Sequence, residues 1–422
     1  MYKKIKLENG VRIVGYPMKE KRSAALGIWI KVGGRYESRK NKGIAHVLEH
    51  LLFKGSKKYS CSKIKQSIEG VGGALNGFTS EELTCYLVKL PARHLDMALD
   101  VLSDMVINPL IDKAELEREK TVILEEIKMY KDLPQMYVHE LLDGLLWPEQ
   151  PLGEPIIGSV ESVSATTRES LMRFKENHYT PSNMVISAAG DLKFDKLTQR
   201  VSRIFSQLAE ANLNKFANVE ENQTRPQLKL LHKHTEQTHL SLGFHSLRRD
   251  HPDKYALALL HIILGANMSS RLFNEIREKR GLAYNIGTQA KAYEDTGIFG
   301  VRAGIDNTKI AQTVELILKE LKKIKEALVS VDEFRRAKEF YCGQFMLGLE
   351  DTQDHMLWIG ETTSSLGKTY TIDDIVKEVN KVRREDLERV ANDIFFEGNL
   401  NLALIGPLKE SEKKIHSGLH LD

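Results

Sequence analysis

Apolar positions along the chain alternate in some stretches and recur at helical spacing in others. Residues 5–16 alternate around Asn9 and Gly10, which predicts two strands joined by a tight turn. The other patterned segments of the first half are strands at 24–32, 84–90 and 184–189 and helices at 44–52, 62–69 and 112–129. This mixture of strands and helices predicts an α+β fold.

The second half of the chain repeats the order of elements in the first half. Its patterned segments are strands at 228–244 and 297–305 and helices at 254–264, 271–280, 309–321 and 331–347. Residues 206–226 are polar and weakly patterned, which is typical of a linker. We therefore expect two homologous domains, at residues 1–205 and 227–422, each with a mainly antiparallel sheet packed against helices.

Composition and charge mainly exclude classes of protein. The chain has 422 residues, of which 41% are hydrophobic and 28% charged, as in ordinary globular proteins. A net charge of +3 does not favour nucleic acid, and no apolar run approaches the roughly 18 residues of a membrane span. The basic N-terminus lacks the apolar stretch of a secretory signal. Because Cys61, Cys85 and Cys342 are few and widely spaced, we expect a reducing, cytoplasmic location.

The predicted helix at 44–52 carries the main candidate chemistry. His46 and His50 are four residues apart, so on a helix both imidazoles lie on one face. Two neutral imidazoles in this arrangement can hold one Zn²⁺ ion. Glu49 lies beside them, and a carboxylate that is near a metal without binding it can take a proton from a metal-bound water. Alone, the pattern is also compatible with ordinary surface or core residues.

A third ligand has to come from another segment, since a catalytic zinc site usually has three protein ligands and one open position. The candidates are the glutamates of the helix at 112–129, namely Glu115, Glu117, Glu119, Glu125 and Glu126. Glu119 and Glu126 are two turns apart on a partly apolar face, where an unpaired carboxylate is costly. The pattern leaves open that Glu125 is the ligand, or that all five glutamates are simply solvated.

These residues together resemble the inverted zinc motif of the pitrilysin-like, or M16, metallopeptidases. His46-x-x-Glu49-His50 is followed by Glu126 after a further 76 residues. The chain resembles in particular the branch that contains the mitochondrial processing peptidase β-subunit and its bacterial relatives. Further matching motifs are Gly72-Gly73-x-x-Asn76 with Thr79, Tyr179-x-Pro181-x-Asn183-Met184, and Arg280-Gly281-Leu282-Ala283-Tyr284.

The resemblance implies specific roles in the first half. His46, His50 and Glu126 are expected to bind one zinc ion, and Glu49 is expected to be the general base. Glu119 is expected to support a zinc-bound histidine and to fix the orientation of its ring. The implied activity is that of a zinc-dependent endopeptidase, which hydrolyses extended or unfolded peptides by attack of a zinc-bound water.

The resemblance also implies a role for the second half. Members of the family carry an arginine and a tyrosine, seven residues apart, that face the zinc, and here these are Arg277 and Tyr284. A phenol can donate to the oxygen that becomes an oxyanion, and an arginine can hold substrate carbonyls. The two halves are then expected to form a clamshell that closes around the peptide. Aligning the halves by eye sets Ala256, Leu259 and Leu260 against the metal-binding helix, so only the first half is expected to bind zinc.

Substrate binding is expected along the segment at residues 73–78. An extended peptide can add to an exposed strand edge through main-chain hydrogen bonds, which requires little sequence. Asn76 and Phe78 match positions that touch substrate in the family. Gly77 stands where relatives often have alanine, and this difference is expected to loosen the edge strand.

Two other classes of function deserve comparison. The first alternative is a non-catalytic structural subunit of a peptidase or respiratory-type complex, but such subunits typically lack an intact motif. Nucleotide binding at Gly70-x-Gly72-Gly73 is disfavoured, because this segment precedes a strand instead of following one. The family works as paired halves, so we expect a homodimer or, alternatively, a heterodimer with an inactive homologous subunit.

Overall fold

A computed structural model describes residues 2–210, 215–408, 414–415 and 418–421. The strands are β1 (Lys3–Lys6), β2 (Arg12–Pro17), β3 (Ser23–Ile30), β4 (Ala74–Thr79), β5 (Thr84–Pro91), β6 (Met184–Gly190), β7 (Gln227–His232), β8 (Thr238–Ser246), β9 (Ala283–Ala292), β10 (Gly297–Ile305) and β11 (Asn401–Gly406). The helices are α1 (Ile44–Leu52), α2 (Cys61–Glu69), α3 (Leu95–Ile107), α4 (Lys113–Asp132), α5 (Pro134–Leu146), α6 (Val160–Ala165), α7 (Arg168–His178), α8 (Phe194–Phe205), α9 (Lys254–His261), α10 (Ile310–Glu326), α11 (Val331–Gly348), α12 (Thr352–Leu366), α13 (Ile372–Lys381) and α14 (Arg384–Ile394).

The strands form two sheets, and most neighbouring strands in them run antiparallel. The first sheet has the order β1-β2-β6-β3-β5-β4, and the second has the order β7-β11-β8-β10-β9. Only the β2–β6 and β7–β11 pairs are parallel among the described strands. The predicted α+β class, with two mainly antiparallel sheets packed against helices, is therefore confirmed.

The predicted N-terminal hairpin is present. β1 and β2 pair antiparallel, with Lys3 opposite Gly15 and Lys6 opposite Arg12. Gly10 in the connecting turn has a φ of 99°, a conformation that favours glycine. The local sequence therefore determines this turn, as the alternation around it predicted.

Each compact unit of the structure is built from segments that are distant in sequence. The first unit comprises residues Met1–Lys128, Glu154–Ala217 and Met346–Ile372. The second comprises Met129–Gly153, Asn218–Phe345 and Asp373–Asp422. Helix α12 of the sequence's second half thus belongs to the first unit, and α5 of the first half belongs to the second. The domain boundaries at residues 205 and 227 remain a prediction about the sequence.

Helix α12 completes the core of the first unit. It packs against β6, β3 and β2. Met356 and Ile359 of α12 share a buried apolar cluster with Trp29, Cys85 and Val185 of the sheet. Since burying such side chains contributes about 1.5–3 kcal/mol each, Met356 and Ile359 stabilise the packing of α12 on the sheet.

Helix α5 has the corresponding place in the second unit. It packs against β8 and β11. Val138 and Leu142 of α5 share a buried cluster with Trp147, Ile298 and Ile405. The two units are therefore built alike, although each takes one helix from the other half of the sequence.

The predicted linker at 206–226 contains no helix or strand in its described part. Residues 211–214 lie outside the described residues. Phe216 stacks on the Arg35 guanidinium, whose Cζ atom is 3.9 Å from the ring centroid. The segment at 215–217 is thus fastened to the first unit by a cation–π contact.

The structure also describes two features that the composition raised, namely membrane-spanning helices and the three cysteines. No helix among the described residues is both long and apolar enough to cross a membrane. Cys61, Cys85 and Cys342 are all free thiols. Cys85 is fully buried in the cluster beneath α12, where it packs as a small apolar side chain.

Replacing Gly360 by alanine should destabilise the first unit. Trp29 Nε1 donates a hydrogen bond of 2.8 Å to Ser187 Oγ. A Cβ atom at Gly360 would lie 2.0 Å from this nitrogen and 2.6 Å from this oxygen, so it would clash with both side chains. We expect a loss of about 1–3 kcal/mol, as for other overpacked cores. Gly343→Ala is the matched control, because a Cβ there meets nothing within 4 Å and should stabilise α11 by about 0.5–1 kcal/mol. Denaturation midpoints that fall equally in both variants would contradict this packing.

Candidate metal centre

Helix α1 is anchored at its N-terminus by a buried carboxylate. Glu37 accepts hydrogen bonds from the backbone N–H groups of Gly43, at 2.9 Å, and Ala45, at 2.8 Å. Lys42 Nζ lies 3.5 Å from the same carboxylate and compensates its charge. Gly43 has a φ of 90°, and a Cβ there would lie 2.6 Å from the carbonyl oxygen of Ile157, so only glycine fits. The start of α1 is therefore fixed by contacts on several sides.

Helix α4 brings Glu126 to the two histidines of α1. The Glu126 Oε2 atom lies 4.0 Å from His46 Nε2 and 3.9 Å from His50 Nε2. One donor atom from each of the three residues lies within 4.8 Å of the others. All three side chains are half-buried, which leaves an approach open to solvent. The fold thus brings together three side chains that are 4 and 76 residues apart in the sequence.

This donor set fits a zinc ion. Two imidazole nitrogens and one carboxylate oxygen are ligands that Zn²⁺ takes in catalytic sites. Donor atoms of a tetrahedral zinc with bonds of about 2.0 Å lie about 3.3 Å apart. The separations of 4.0 and 3.9 Å from Glu126 Oε2 to the two imidazole nitrogens exceed this by a little over half an ångström, which small side-chain movements can close. Burial and the nearby His50 lower the pKa of His46 to about 4, so this imidazole is neutral at pH 7 with a free lone pair. Both the geometry and the protonation of the site therefore suit a metal.

Glu119 is buried behind His50. Its Oε2 atom lies 3.0 Å from His50 Nδ1, and its Oε1 atom lies 2.6 Å from Lys54 Nζ. A carboxylate in this position favours a proton on Nδ1, which leaves Nε2 free for a metal. Lys54 provides the positive charge that a buried carboxylate requires. The supporting role that the resemblance implies for Glu119 remains a prediction.

Glu49 lies beside the three candidate ligands but faces a different partner. Its Oε2 atom accepts a hydrogen bond of 2.6 Å from Thr79 Oγ1. Burial raises the pKa of Glu49, whereas the hydrogen bond from Thr79 and the nearby His50 oppose that rise. A carboxylate with a raised pKa, close to a metal and not among its ligands, is suited to accept a proton.

Strand β4 lies at the edge of the first sheet and pairs with β5 alone among the described strands. Asn76 is exposed, and its Oδ1 atom accepts a hydrogen bond of 2.9 Å from the N–H group of Gly77. Phe78 is 37% exposed and lies edge-on to Trp29, with ring centroids 5.7 Å apart. These positions are therefore accessible along a free strand edge.

The glycine at position 77 has a local packing reason. A Cβ atom there would lie 3.0 Å from the ring of Phe53, which follows α1. Contacts of that length require the ring to shift by a few tenths of an ångström. Gly77 therefore lets Phe53 pack closely on β4, and the predicted loosening of the strand remains a prediction.

Arg277 and Tyr284 lie together in the second unit. Arg277 belongs to a π-helical turn, Phe273–Glu278, and Tyr284 belongs to β9. The guanidinium carbon of Arg277 is 4.9 Å from the ring centroid of Phe273 and 5.4 Å from that of Tyr284. Tyr284 is 73% exposed, so its hydroxyl is accessible. π-Helical turns are frequent at functional sites.

The counterpart of α1 in the second unit is α9, which carries no metal-binding side chain at the aligned positions. Ala256, Leu259 and Leu260 of this helix are all buried in an apolar core. Within the described residues, the cluster of His46, His50 and Glu126 is the one group able to hold a metal. That the second half binds no metal remains a prediction of the alignment.

Sequence reasoning missed two contacts in the first unit. Lys54 was not among the candidates, although it follows His50 by four residues, a spacing that could have signalled a shared face. Thr79 was noted as part of a motif, but its partner Glu49 is 30 residues away in sequence. Hydrophobic periodicity within one helix or strand does not predict a contact between residues that are so far apart in sequence.

Comparison with known proteins identifies the family. Residues 13–160 match the family model described as "Insulinase (Peptidase family M16)", and residues 165–341 match the one described as "Peptidase M16 inactive domain". The chain belongs to peptidase family M16. The membership expected from the motifs is thereby confirmed, and the second match covers the half in which α9 lacks metal ligands.

Bacterial relatives of this M16 chain span nearly its whole length. A Bacillus subtilis (strain 168) protein named "Uncharacterized zinc protease YmxG" is 38% identical over 407 residues, covering 96% of this chain and 98% of the relative. A similarly named protein of Streptomyces coelicolor is 36% identical over 420 residues, covering 98% and 91%. Another from Rickettsia felis is 33% identical over 407 residues, covering 95% and 97%.

Two solved structures share the fold of this M16 chain. A protease from Helicobacter pylori superimposes with a TM-score of 0.90 at 23% identity, covering 96% of this chain and all (100%) of the other. A peptidase M16 inactive domain from Pseudomonas fluorescens gives a TM-score of 0.89 at 19% identity, covering 96% and 98%. At these identities the likeness concerns the fold.

Replacing Glu126 should remove zinc, whereas replacing its neighbour should not. Glu125 is exposed and pairs with Lys128 at 2.7 Å, so it points away from the histidines. We expect Glu126→Gln to weaken zinc binding by more than the roughly 10–100-fold that losing an outer partner costs. Glu125→Gln is the matched control and should keep full affinity, measured by chelator competition. Zinc loss in the Glu125 variant alone would reassign the ligand.

Proposed function

We propose that this chain is a zinc-dependent endopeptidase of the processing-peptidase type, which hydrolyses extended or unfolded peptides. The observation that carries the proposal is the convergence of His46, His50 and Glu126, with donor atoms within 4.8 Å, beside Glu49. The names of the relatives as zinc proteases support it. A non-catalytic subunit would have no reason to retain these three donors next to a candidate base.

His46, His50 and Glu126 would hold one zinc ion per chain. Zinc in such a site acts as a Lewis acid that polarises the scissile carbonyl and makes water a better nucleophile at neutral pH. Glu119 would keep His50 oriented by accepting from its Nδ1–H group. Glu49 would take a proton from the attacking water and deliver it to the leaving amine, as a general base and then a general acid.

Substrate would bind as an added strand. β4 offers a free edge, so Asn76, Gly77 and Phe78 would pair with an extended peptide through the backbone. Such binding favours unfolded segments, because most strands of a folded protein already have their backbone groups paired on both sides. Tyr284 would donate a hydrogen bond to the developing oxyanion, and Arg277 would hold a substrate carbonyl.

The proposal includes an assembly and a location. An intact zinc motif together with Arg277 and Tyr284 would make a homodimer self-sufficient, whereas a heterodimer would need an inactive homologous partner. The scarcity of cysteines suits a cytoplasmic location. Light scattering of the purified chain measures its oligomeric state, and a quenched peptide library then tests cleavage at that known state with and without a chelator. Cleavage that persists after full zinc removal would rule out the proposed chemistry.

Glu49→Gln should separate catalysis from metal binding. The amide cannot accept the proton, so we expect turnover to fall by at least the roughly 10²–10⁴-fold contribution of a general base. Zinc content should stay at the wild-type level because Glu49 is not a ligand in this scheme. Metal analysis and turnover are measured on one sample, with Glu125→Gln as the control. Loss of zinc in the Glu49 variant would make it a ligand and refute the scheme.

Tyr284→Phe should lower kcat while leaving zinc content unchanged. Losing one hydrogen bond to an oxyanion typically costs about 10²–10³ in kcat. Tyr341→Phe is the control, since it removes a phenol of the second unit that stacks on Phe345. Steady-state kinetics on one peptide distinguish the two variants. Wild-type kinetics for Tyr284→Phe would mean that this exposed ring takes no part in catalysis.

A further inference from the structure

The candidate base is held by the strand that would receive the substrate. Thr79 is the last residue of β4, and its hydroxyl lies 2.6 Å from Glu49 Oε2. In the part of the chain that the structure describes, this is the one hydrogen bond of the Glu49 side chain. Because an ionised carboxylate only accepts hydrogen bonds, the Thr79 hydroxyl is the donor.

The position of Thr79 is fixed by the strand and by the turn that follows. Side chains alternate along β4, so Gly77 and Thr79 share the face that meets α1. Thr79 lies opposite Thr84 in the pairing of β4 with β5. The next residue, Ser80, donates from its backbone N–H group to the carbonyl of Leu83 at 2.7 Å, which closes a tight turn. The hydroxyl is therefore carried on a well-supported backbone.

The bond also determines which part of the carboxylate is available. Thr79 donates to Oε2, whereas Oε1 accepts no hydrogen bond from the described residues and is therefore the freer oxygen to accept a proton. A β-branched side chain in a strand has few χ1 rotamers, which holds the hydroxyl in place. A carboxylate with one oxygen fixed loses less freedom when it meets an attacking water.

We propose that Thr79 is a positioning residue for Glu49, which couples the general base to the strand that binds the peptide. This proposal rests on the proposed function. A peptide added along β4 would pair with the strand that carries Thr79, so the backbone that binds the substrate and the hydroxyl that orients the carboxylate belong to one strand. Thr79 itself touches neither metal nor reacting atoms, so its loss should lower turnover more than substrate binding.

The test compares variants that remove or keep the donor. Thr79→Val has the same shape without the hydroxyl, Thr79→Ala removes it in a smaller side chain, and Thr79→Ser keeps it. We expect kcat to fall about 10–100-fold in the first two, as for other outer partners of a catalytic group, with KM and zinc content within about twofold of wild type. Thr79→Ser should recover most of kcat. Thr121→Val is the control, since it removes an exposed hydroxyl of α4.

A double-mutant cycle separates positioning from a structural role. In the Glu49→Gln background there is no base to position, so adding Thr79→Val should change the residual rate less than twofold. A further loss as large as in the wild-type background would overturn the proposal, as would wild-type kcat in Thr79→Val and Thr79→Ala. A wild-type chain that binds no zinc or cleaves no peptide would instead overturn the proposed function, and this proposal with it.

Discussion

A carboxylate buried between two helices has to be compensated, and the candidate metal centre depends on how this is done. Glu119 of α4 uses one oxygen on His50 Nδ1 and the other on Lys54 Nζ. An unpaired charge in that position would cost several kcal/mol, so the three side chains hold α4 against the end of α1. Because Glu126 is two turns further along the same helix, this contact also brings it opposite the imidazoles.

The features that could be predicted from sequence are those that follow from local geometry. His46 and His50 share a helix face because they are four residues apart, and the same argument applies to Glu119 and Glu126. The sheets could be predicted in outline because their strands alternate or form short apolar runs. Periodicity alone, however, did not decide whether Glu125 or Glu126 is the candidate zinc ligand. The choice of Glu126 depended on the resemblance to the family.

What could not be predicted depends on contacts between residues that are distant in sequence. The pairing of Lys54 with Glu119 and of Thr79 with Glu49 requires the relative placement of three elements, which no pattern within one element encodes. The exchange of α5 and α12 is similar, because both helices are amphipathic and their sequences do not say which sheet they cover. The turn at Phe273–Glu278 has a helical pattern, and its π-helical hydrogen bonding leaves no signal in hydrophobic spacing.

The place of α12 in the first unit has a consequence for biosynthesis. The last strand of the first sheet, β6, ends at residue 190, whereas α12 begins at residue 352, which is 162 residues later. At about 5–20 residues per second, a ribosome needs roughly 8–32 s to add them. During that interval the sheet surface around Trp29 and Val185 has no covering helix. The nascent chain therefore exposes an apolar, aggregation-prone sheet surface to chaperones and to other chains until α12 has been translated.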